Sequence, residues 1–245
     1  MKKTFYSLYA VVCYLIFFAT ILYLIGFVSN LLVPKSVDTT GGKGQAPAYL
    51  AILINLGLMS LFAVQHSVMA RQGFKEKWTR IIPAPIERST YVLFASLAVI
   101  LLLFFWQPIP FVIWDLAGTP GGYILVGISF LGWGILFLST FLINHFHLFG
   151  LHQVYDYVAD KEQKPLRFRT PFLYKIVRHP LYMGFLIAFW AAPVMTVGHL
   201  LFSLIMTIYI FIGIYHEEKD LEKLYGAEYQ QYRQKTSKIV PYTKS

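Results

Sequence analysis

Only 13% of this chain is charged, so the places where histidines and acids cluster carry most of its chemical information. Three of the seven histidines fall in Asn144-His145-Phe146-His147-Leu148-Phe149-Gly150-Leu151-His152-Gln153. On a helix His145 and His152 share a face and His147 points elsewhere. Imidazole carries protons near neutral pH and ligates metals, and an interfacial segment of amphipathic rings fits the same spacing. No cysteine or carboxylate adjoins, so no metal is expected there. A second cluster, Thr170 to Gly184, contains Arg178-His179-Pro180-Leu181-Tyr182-Met183-Gly184. Thr170 and Pro171 can open a short helix, and Pro180 disfavours helix at His179 and can start a new one. Gly184 admits close approach of a backbone or a ligand. A third cluster, Tyr215 to Tyr232, places four acids within six residues: Glu217, Glu218, Asp220 and Glu222. Glu217 and Glu218 adjoin an apolar run, where an unpaired carboxylate is costly. Arg178 or a cationic ligand would offset that cost.

These clusters need elements to hold them, and the composition says which kind. The 245 residues are 57% hydrophobic, whereas a soluble domain is about 25% charged and about 45–50% apolar. A bilayer core takes about 20 apolar residues to cross. Phe5–Val33, Ala48–Met69, Ser89–Trp106 and Gly121–Ile143 meet that length. The apolar region after Pro180 is interrupted at Pro193 and Gly198, which divides it into Pro180–Val194 and His199–Tyr215. An all-α, polytopic transmembrane bundle of about six spans follows, with five spans plus a re-entrant hairpin as the alternative. The first run is too long for the apolar region of a signal peptide and is expected to be a retained span. The lone cysteine, Cys13, excludes an internal disulfide.

Nineteen of the 21 Lys and Arg residues fall on one side of this topology, leaving Lys35 and Lys43 on the other. Both termini are therefore expected in the cytoplasm. The net charge of +9 reads as topology and contact with lipid headgroups; no nucleic-acid partner is expected. Residues 1–143 read as four spans forming a scaffold and substrate access. Residues 144–245 read as the catalytic region, with a helical hairpin and a cytoplasmic tail.

The second and third clusters together resemble the isoprenylcysteine carboxyl methyltransferase superfamily of integral membrane methyltransferases. The resemblance rests on Arg178-His179-Pro180-Leu181-Tyr182-Met183-Gly184, Glu217-Glu218 with Leu221, and Tyr225-Gly226 with Tyr229 and Tyr232. From Phe141 to Pro241 the chain is most similar to the bacterial branch acting on small thiols. That likeness lies in Leu142-Ile143-Asn144-His145-Phe146, Leu148-Phe149-Gly150-Leu151, Gln153-Val154 and the run Ala192 to His199. The chain departs from the pattern at His147 and His152, where an acid and an arginine are common.

The resemblance implies S-adenosylmethionine as methyl donor, entering from the cytoplasm, and Arg178, His179, Pro180, Tyr182, Gly184, Glu217, Glu218, Tyr229 and Tyr232 as its binding residues. It implies conversion of methanethiol to dimethyl sulfide at a bacterial inner membrane. Thiols with a pKa of roughly 8.5 or above are mostly protonated at neutral pH, and the thiolate is the nucleophile. His145 is the first candidate for base or thiolate stabiliser, followed by His147 and His152, with Asn144 beside them. Two alternatives remain at this level. One keeps the donor and changes the acceptor to a prenylcysteine carboxylate or a lipid. The other is a non-catalytic haem or metal protein using His66, His145, His147, His152 and His216.

Overall fold

A bilayer core holds no water to satisfy backbone amides, so a chain this apolar must close its hydrogen bonds within helices. The computed structural model describes residues 1–42, 46–162 and 168–243. Lys43, Lys164, Arg167 and Lys244, counted above for orientation, lie outside the described residues. Five helices are long and apolar enough to cross a membrane: α1 (Lys2–Ser29), α2 (Ala48–Ala70), α4 (Ala84–Phe105), α5 (Pro120–Ile143) and α9 (Val197–Tyr225). The shortest has 22 residues, about 33 Å at 1.5 Å per residue, against a core of about 30 Å. The protein is an integral membrane protein built as a polytopic helical bundle. Shorter elements join the long ones: α3 (Gln72–Trp78), α6 (His145–Leu148), α7 (Leu151–Val158), a 3-10 turn (Phe172–Lys175), α8 (Pro180–Trp190), α10 (Ala227–Lys235), and strands β1 (Val112–Asp115) and β2 (Val194–Thr196).

The chain forms two compact units. The first comprises Met1–Pro110 with Asn144–Pro165, the second Phe111–Ile143 with Leu166–Ser245. In the first, α4 packs against α1 and α2, and α7 lies against α1 and α4. Ala10, Ile86 and Val154 form one core there, covered by Tyr6, Tyr9 and Leu151. Asn55 is fully buried in α2, and its amide makes two bonds to the backbone of Gln107, at 2.7 and 2.8 Å. That pairing removes the penalty an unsatisfied amide would carry inside a bundle.

In the second unit α8 packs on α5, and α9 packs on α8, α10 and β2. The expected span Pro180–Val194 is here an 11-residue helix, about 16 Å long and too short to cross a bilayer alone. The break at Pro193 has a structural purpose. The chain leaves α8 at Trp190, and Val194–Thr196 pairs antiparallel with Val112–Asp115. The side chain of Thr196 then caps α9 by accepting from the His199 amide at 3.1 Å. Gly198 lies in the first turn of α9 and does not interrupt it. At the other end α9 continues beyond Tyr215 to Tyr225 and stops at Gly226, as the sequence leads one to expect.

The short α8 is held by a close crossing. A Cβ on Gly184 would stand 2.6 Å from the Gly132 carbonyl, and one on Gly132 would stand 2.7 Å from the Gly184 carbonyl. Small residues let helix backbones touch where lipid supplies no hydrophobic drive. Ser129 Oγ adds a bond to the Ala188 carbonyl at 3.1 Å.

Candidate active site

In the second unit the residues around the His179-Pro180 break converge on one carboxylate. Arg178 is buried, and its Nε donates to Glu218 Oε1 at 2.8 Å. His179 Nε2 lies 3.1 Å from the same oxygen, and since a carboxylate only accepts, Nε2 is the donor. Lys238 Nζ stands 3.9 Å from Glu218 Oε2. Glu217, nearly half exposed, places Oε2 3.8 Å from His179 Nδ1. The cost foreseen for acids at this membrane boundary is thus met by Arg178 at Glu218, 40 residues away in sequence. Glu222, whose like charge would oppose Glu218, instead accepts from Gln230 at 2.8 Å and lies 3.6 Å from Arg233.

The tail fixes this knot from behind. The Arg178 amide donates to the Ser237 carbonyl at 2.8 Å, and the His179 amide to the Lys238 carbonyl at 3.2 Å. Arg178 Nη1 donates to the carbonyls of Arg233, at 3.0 Å, and Thr236. Thr236 and Ile239 are buried. Pro180 opens α8 directly after this anchored pair.

Beside the knot stands an aromatic wall. The Phe168 ring lies 5.1, 5.9 and 5.3 Å from the rings of Tyr225, Tyr229 and Tyr232. Tyr232 donates its hydroxyl to the Tyr174 carbonyl. Tyr229 is 1% exposed, yet its hydroxyl has no hydrogen-bond partner among the described residues. Burial first, and the Glu218 carboxylate second, push the Tyr229 hydroxyl well above the ordinary tyrosine range, with Arg178 pulling the other way. It therefore remains a proton donor at neutral pH.

Of the expected binding residues, Arg178, His179, Glu217 and Glu218 come together. The Tyr182 ring is 5.7 Å from that of His179. Gly184 faces Gly132 and Leu136 of α5, so the close approach it permits here is to a helix backbone. Lys238, Phe168, Tyr174 and the 236–239 tail were not singled out from the sequence. The tail contacts are made by backbone carbonyls, which no residue type announces. Phe168 carried a usable signal, as an aromatic residue in a polar segment between apolar runs.

Asn144, His145, His147 and His152 belong to the first unit. Asn144 caps α6, its Oδ1 accepting from the His147 amide at 3.1 Å. His145 is 3% exposed, its Nε2 lies 2.8 Å from the Tyr14 hydroxyl, and Phe149 stacks against it edge-on at 4.8 Å. Burial lowers the pKa of His145. His147 is lowered by burial and then by His152 and Arg88, with Asp156 opposing. Gly150, at φ +91°, joins α6 to α7, and a Cβ there would meet Ser89 at 2.6 Å; a side chain is excluded on both counts. His152 Nδ1 lies 3.0 Å from Asp156. Among the described residues no three His, Cys, Asp or Glu side chains gather into a metal-ligand set.

Comparison with known proteins places the chain. Residues 124–228 match the family model for phospholipid methyltransferases, a stretch that includes the RHP break, both glutamates and the caps of α9. No solved structure matches the chain significantly. Methanethiol S-methyltransferase 1 of Bradyrhizobium diazoefficiens is 58% identical over 97% of this chain and 82% of its own length. The methanethiol S-methyltransferases of Crocosphaera subtropica and Mycobacterium tuberculosis are 49% and 46% identical, each over 99% of this chain and over 94% and 98% of their own lengths. Similarity this high along almost the entire sequence means that the protein belongs to the methanethiol S-methyltransferase family.

Proposed function

We propose that the protein methylates methanethiol to dimethyl sulfide, with S-adenosylmethionine as donor, at the cytoplasmic face of a bacterial inner membrane. The acceptor follows from the names of its relatives, and the orientation from the concentration of Lys and Arg on one side. One observation carries the donor assignment: the buried, unpartnered Tyr229 hydroxyl beside an aromatic wall and a half-exposed Glu217. A native protein seldom leaves such a donor unmet, and a missing ligand is one of the standard reasons.

When bound, S-adenosylmethionine supplies a methyl group on a sulfonium centre. The side chains present suit such a molecule. Aromatic faces attract a sulfonium or other cation, and Phe168, Tyr225, Tyr229 and Tyr232 offer them. Tyr229 would donate to an acceptor on the ligand, and Glu217 would receive its amino group or ribose hydroxyls. Arg178 pairs with Glu218 and is held by the tail carbonyls, so the pair positions His179 and the start of α8 at Pro180. Tyr182 packs beside His179 from α8, while Gly184 and Tyr232 hold the elements in place. In the first unit, Asn144 orients His147. His145 and His147, kept neutral by burial, are in the form that accepts a proton from a thiol.

Headspace gas chromatography over the purified protein given methanethiol and S-adenosylmethionine tests this reading. Dimethyl sulfide that requires the donor, and that falls at least about 100-fold in His179→Ala, is the expected result. A protein that binds S-adenosylmethionine but methylates only long-chain or lipid acceptors would overturn the acceptor assignment. One that binds no S-adenosylmethionine would overturn the donor assignment.

A further inference from the structure

The first unit contains a cation that its surroundings do not neutralise. Arg88, near the start of α4 and partly buried, donates Nε to the Leu148 carbonyl at 2.8 Å. Its guanidinium carbon stands 4.9 Å from the centre of the Tyr91 ring. Neither Nη has a hydrogen-bond partner, and no carboxylate lies within ion-pair distance, among the described residues. The charged and titratable groups that interact with it are Lys75 of α3, His66 of α2, His147 of α6, and Glu87 and Tyr91 of its own helix. His152 and Asp156 of α7 reach it through His147. Glu87 and Asp156 are the acids of this group, and neither pairs with the guanidinium. A partly desolvated cation surrounded mostly by bases is unfavourable unless an anion joins it.

The neighbourhood also says what polarity of anion would suit it. Tyr91, whose ring faces the guanidinium, belongs to an apolar cluster with Met69 and Val92, against which Phe17, Phe74, Trp78 and Phe149 pack. Within that packing Trp78 Nε1 is buried and has no acceptor among the described residues. Indole N–H is a donor only. A cation with free N–H groups, an apolar aromatic cluster and a second unmet donor suit a small anion carrying an alkyl group.

We propose that Arg88 binds the acceptor as its thiolate, holding the negative sulfur against the guanidinium while the alkyl group meets the Tyr91–Met69 cluster. This inference rests on the thiol-methyltransferase reading and names the residue that prepares the nucleophile. In the step assigned to Arg88 the S–H bond breaks, the electron pair stays on sulfur, and the proton passes to solvent. Arginine suits the task because it stays charged throughout the accessible pH range. Since the thiolate rather than the thiol is nucleophilic, stabilising it raises the reactive fraction at neutral pH without a dedicated base. Once methylated, the sulfur is a neutral thioether and loses its attraction to the guanidinium, which favours release.

Calorimetry of methanethiol binding without any methyl donor, at pH 7 in buffers of different ionisation enthalpy, counts the protons released. Wild-type protein should release close to one proton per thiol bound. Arg88→Gln should bind at least about 10-fold more weakly and release almost none, while Arg88→Lys, which keeps the charge but not the planar fork, should retain part of both. Unchanged binding of S-adenosylhomocysteine by Arg88→Gln shows that the variant is folded. Thiol binding by the wild type without proton release would overturn the proposal, as would wild-type release by Arg88→Gln. So would an Arg88→Gln protein that loses co-purifying phospholipid but keeps normal thiol binding, because the anion at Arg88 would then be a lipid phosphate. Proton-coupled thiol binding in a protein that forms no dimethyl sulfide would leave Arg88 as a thiolate site and remove only the methyltransferase reading.

Discussion

Two polar regions of this protein solve the problem of polarity near a membrane in opposite ways. Around Glu218, charge is concentrated and matched: Arg178, His179 and Lys238 surround a single carboxylate, and tail carbonyls accept from Arg178 Nη1. Around His145 and His147, charge is suppressed. Burial favours neutral rings, the Tyr14 and Phe149 rings pack on His145, and Arg88 is an unmatched cation. A matched knot resists change and can hold a shape for a ligand. An unmatched cation among neutral rings leaves the electrostatics to be completed from outside. The number of histidines in a segment is thus a poor guide to its charge chemistry.

The largest expected effect comes from unbalancing the knot. Glu218→Gln leaves Arg178 buried without its counter-charge, and breaking one side of a buried pair typically costs about 3–5 kcal/mol. Thermal unfolding in detergent should show a clear loss of stability, and binding of S-adenosylmethionine should fall at least about 100-fold. The double variant Arg178→Met with Glu218→Leu should recover much of the stability and none of the binding, because an apolar pair replaces the ions without restoring the position of His179. A double variant as unstable as Glu218→Gln alone would mean that the tail carbonyls, which also lose their donor, matter more than the pair.

How much of this contrast could be read from the sequence depended on whether the cause was local. The long spans were legible because bilayer thickness sets helix length, and the end of α9 was legible at Gly226. The Arg178–Glu218 pairing was half legible. An acid beside an apolar run demands a partner, and Arg178 was one of two named. The extra length of α9 was hidden by Gly198, which looks like a breaker but follows the Thr196 cap. The shortness of α8 was hidden because Val194–Thr196 finds its partner strand 80 residues earlier. Gly132 has no meaning until Gly184 is placed against it. Arg88 entered the sequence reading only as one of nineteen basic residues that set orientation, and its lack of a counter-ion is a property of the fold.

A smaller effect tests the other region. His145 and His147 have pKa values lowered by folding, so the folded state prefers their neutral forms. Their contribution is complete above the ordinary histidine pKa of about 6.5. It declines as pH falls below that value, because the unfolded chain takes up protons the folded chain refuses. Stability should therefore drop as pH falls below about 6.5. In His145→Phe the drop should be shallower, at a cost near neutral pH of about 1 kcal/mol for the lost Tyr14 bond. An unfolding midpoint with the same pH slope in wild type and variant would show that His145 is not among the groups that resist protonation.

The finest test removes one oxygen atom. Tyr229→Phe deletes a buried hydroxyl that no described residue satisfies, while the ring and its contacts with Phe168 and Tyr232 remain. If that hydroxyl served the fold, its loss would destabilise the protein by about 1 kcal/mol, the usual net value of a hydrogen bond. If it awaits a ligand, the ligand-free protein should be as stable as the wild type or slightly more so, because an unmet polar atom has been removed from the interior. The loss should appear in S-adenosylmethionine affinity instead, as roughly a 2- to 10-fold rise in Kd from a bond of about 0.5–1.5 kcal/mol. Stability and affinity thus move independently at Tyr229, whereas at Glu218 they fall together. Measuring both quantities in both variants separates a residue that maintains the shape of the site from one that touches what the site binds.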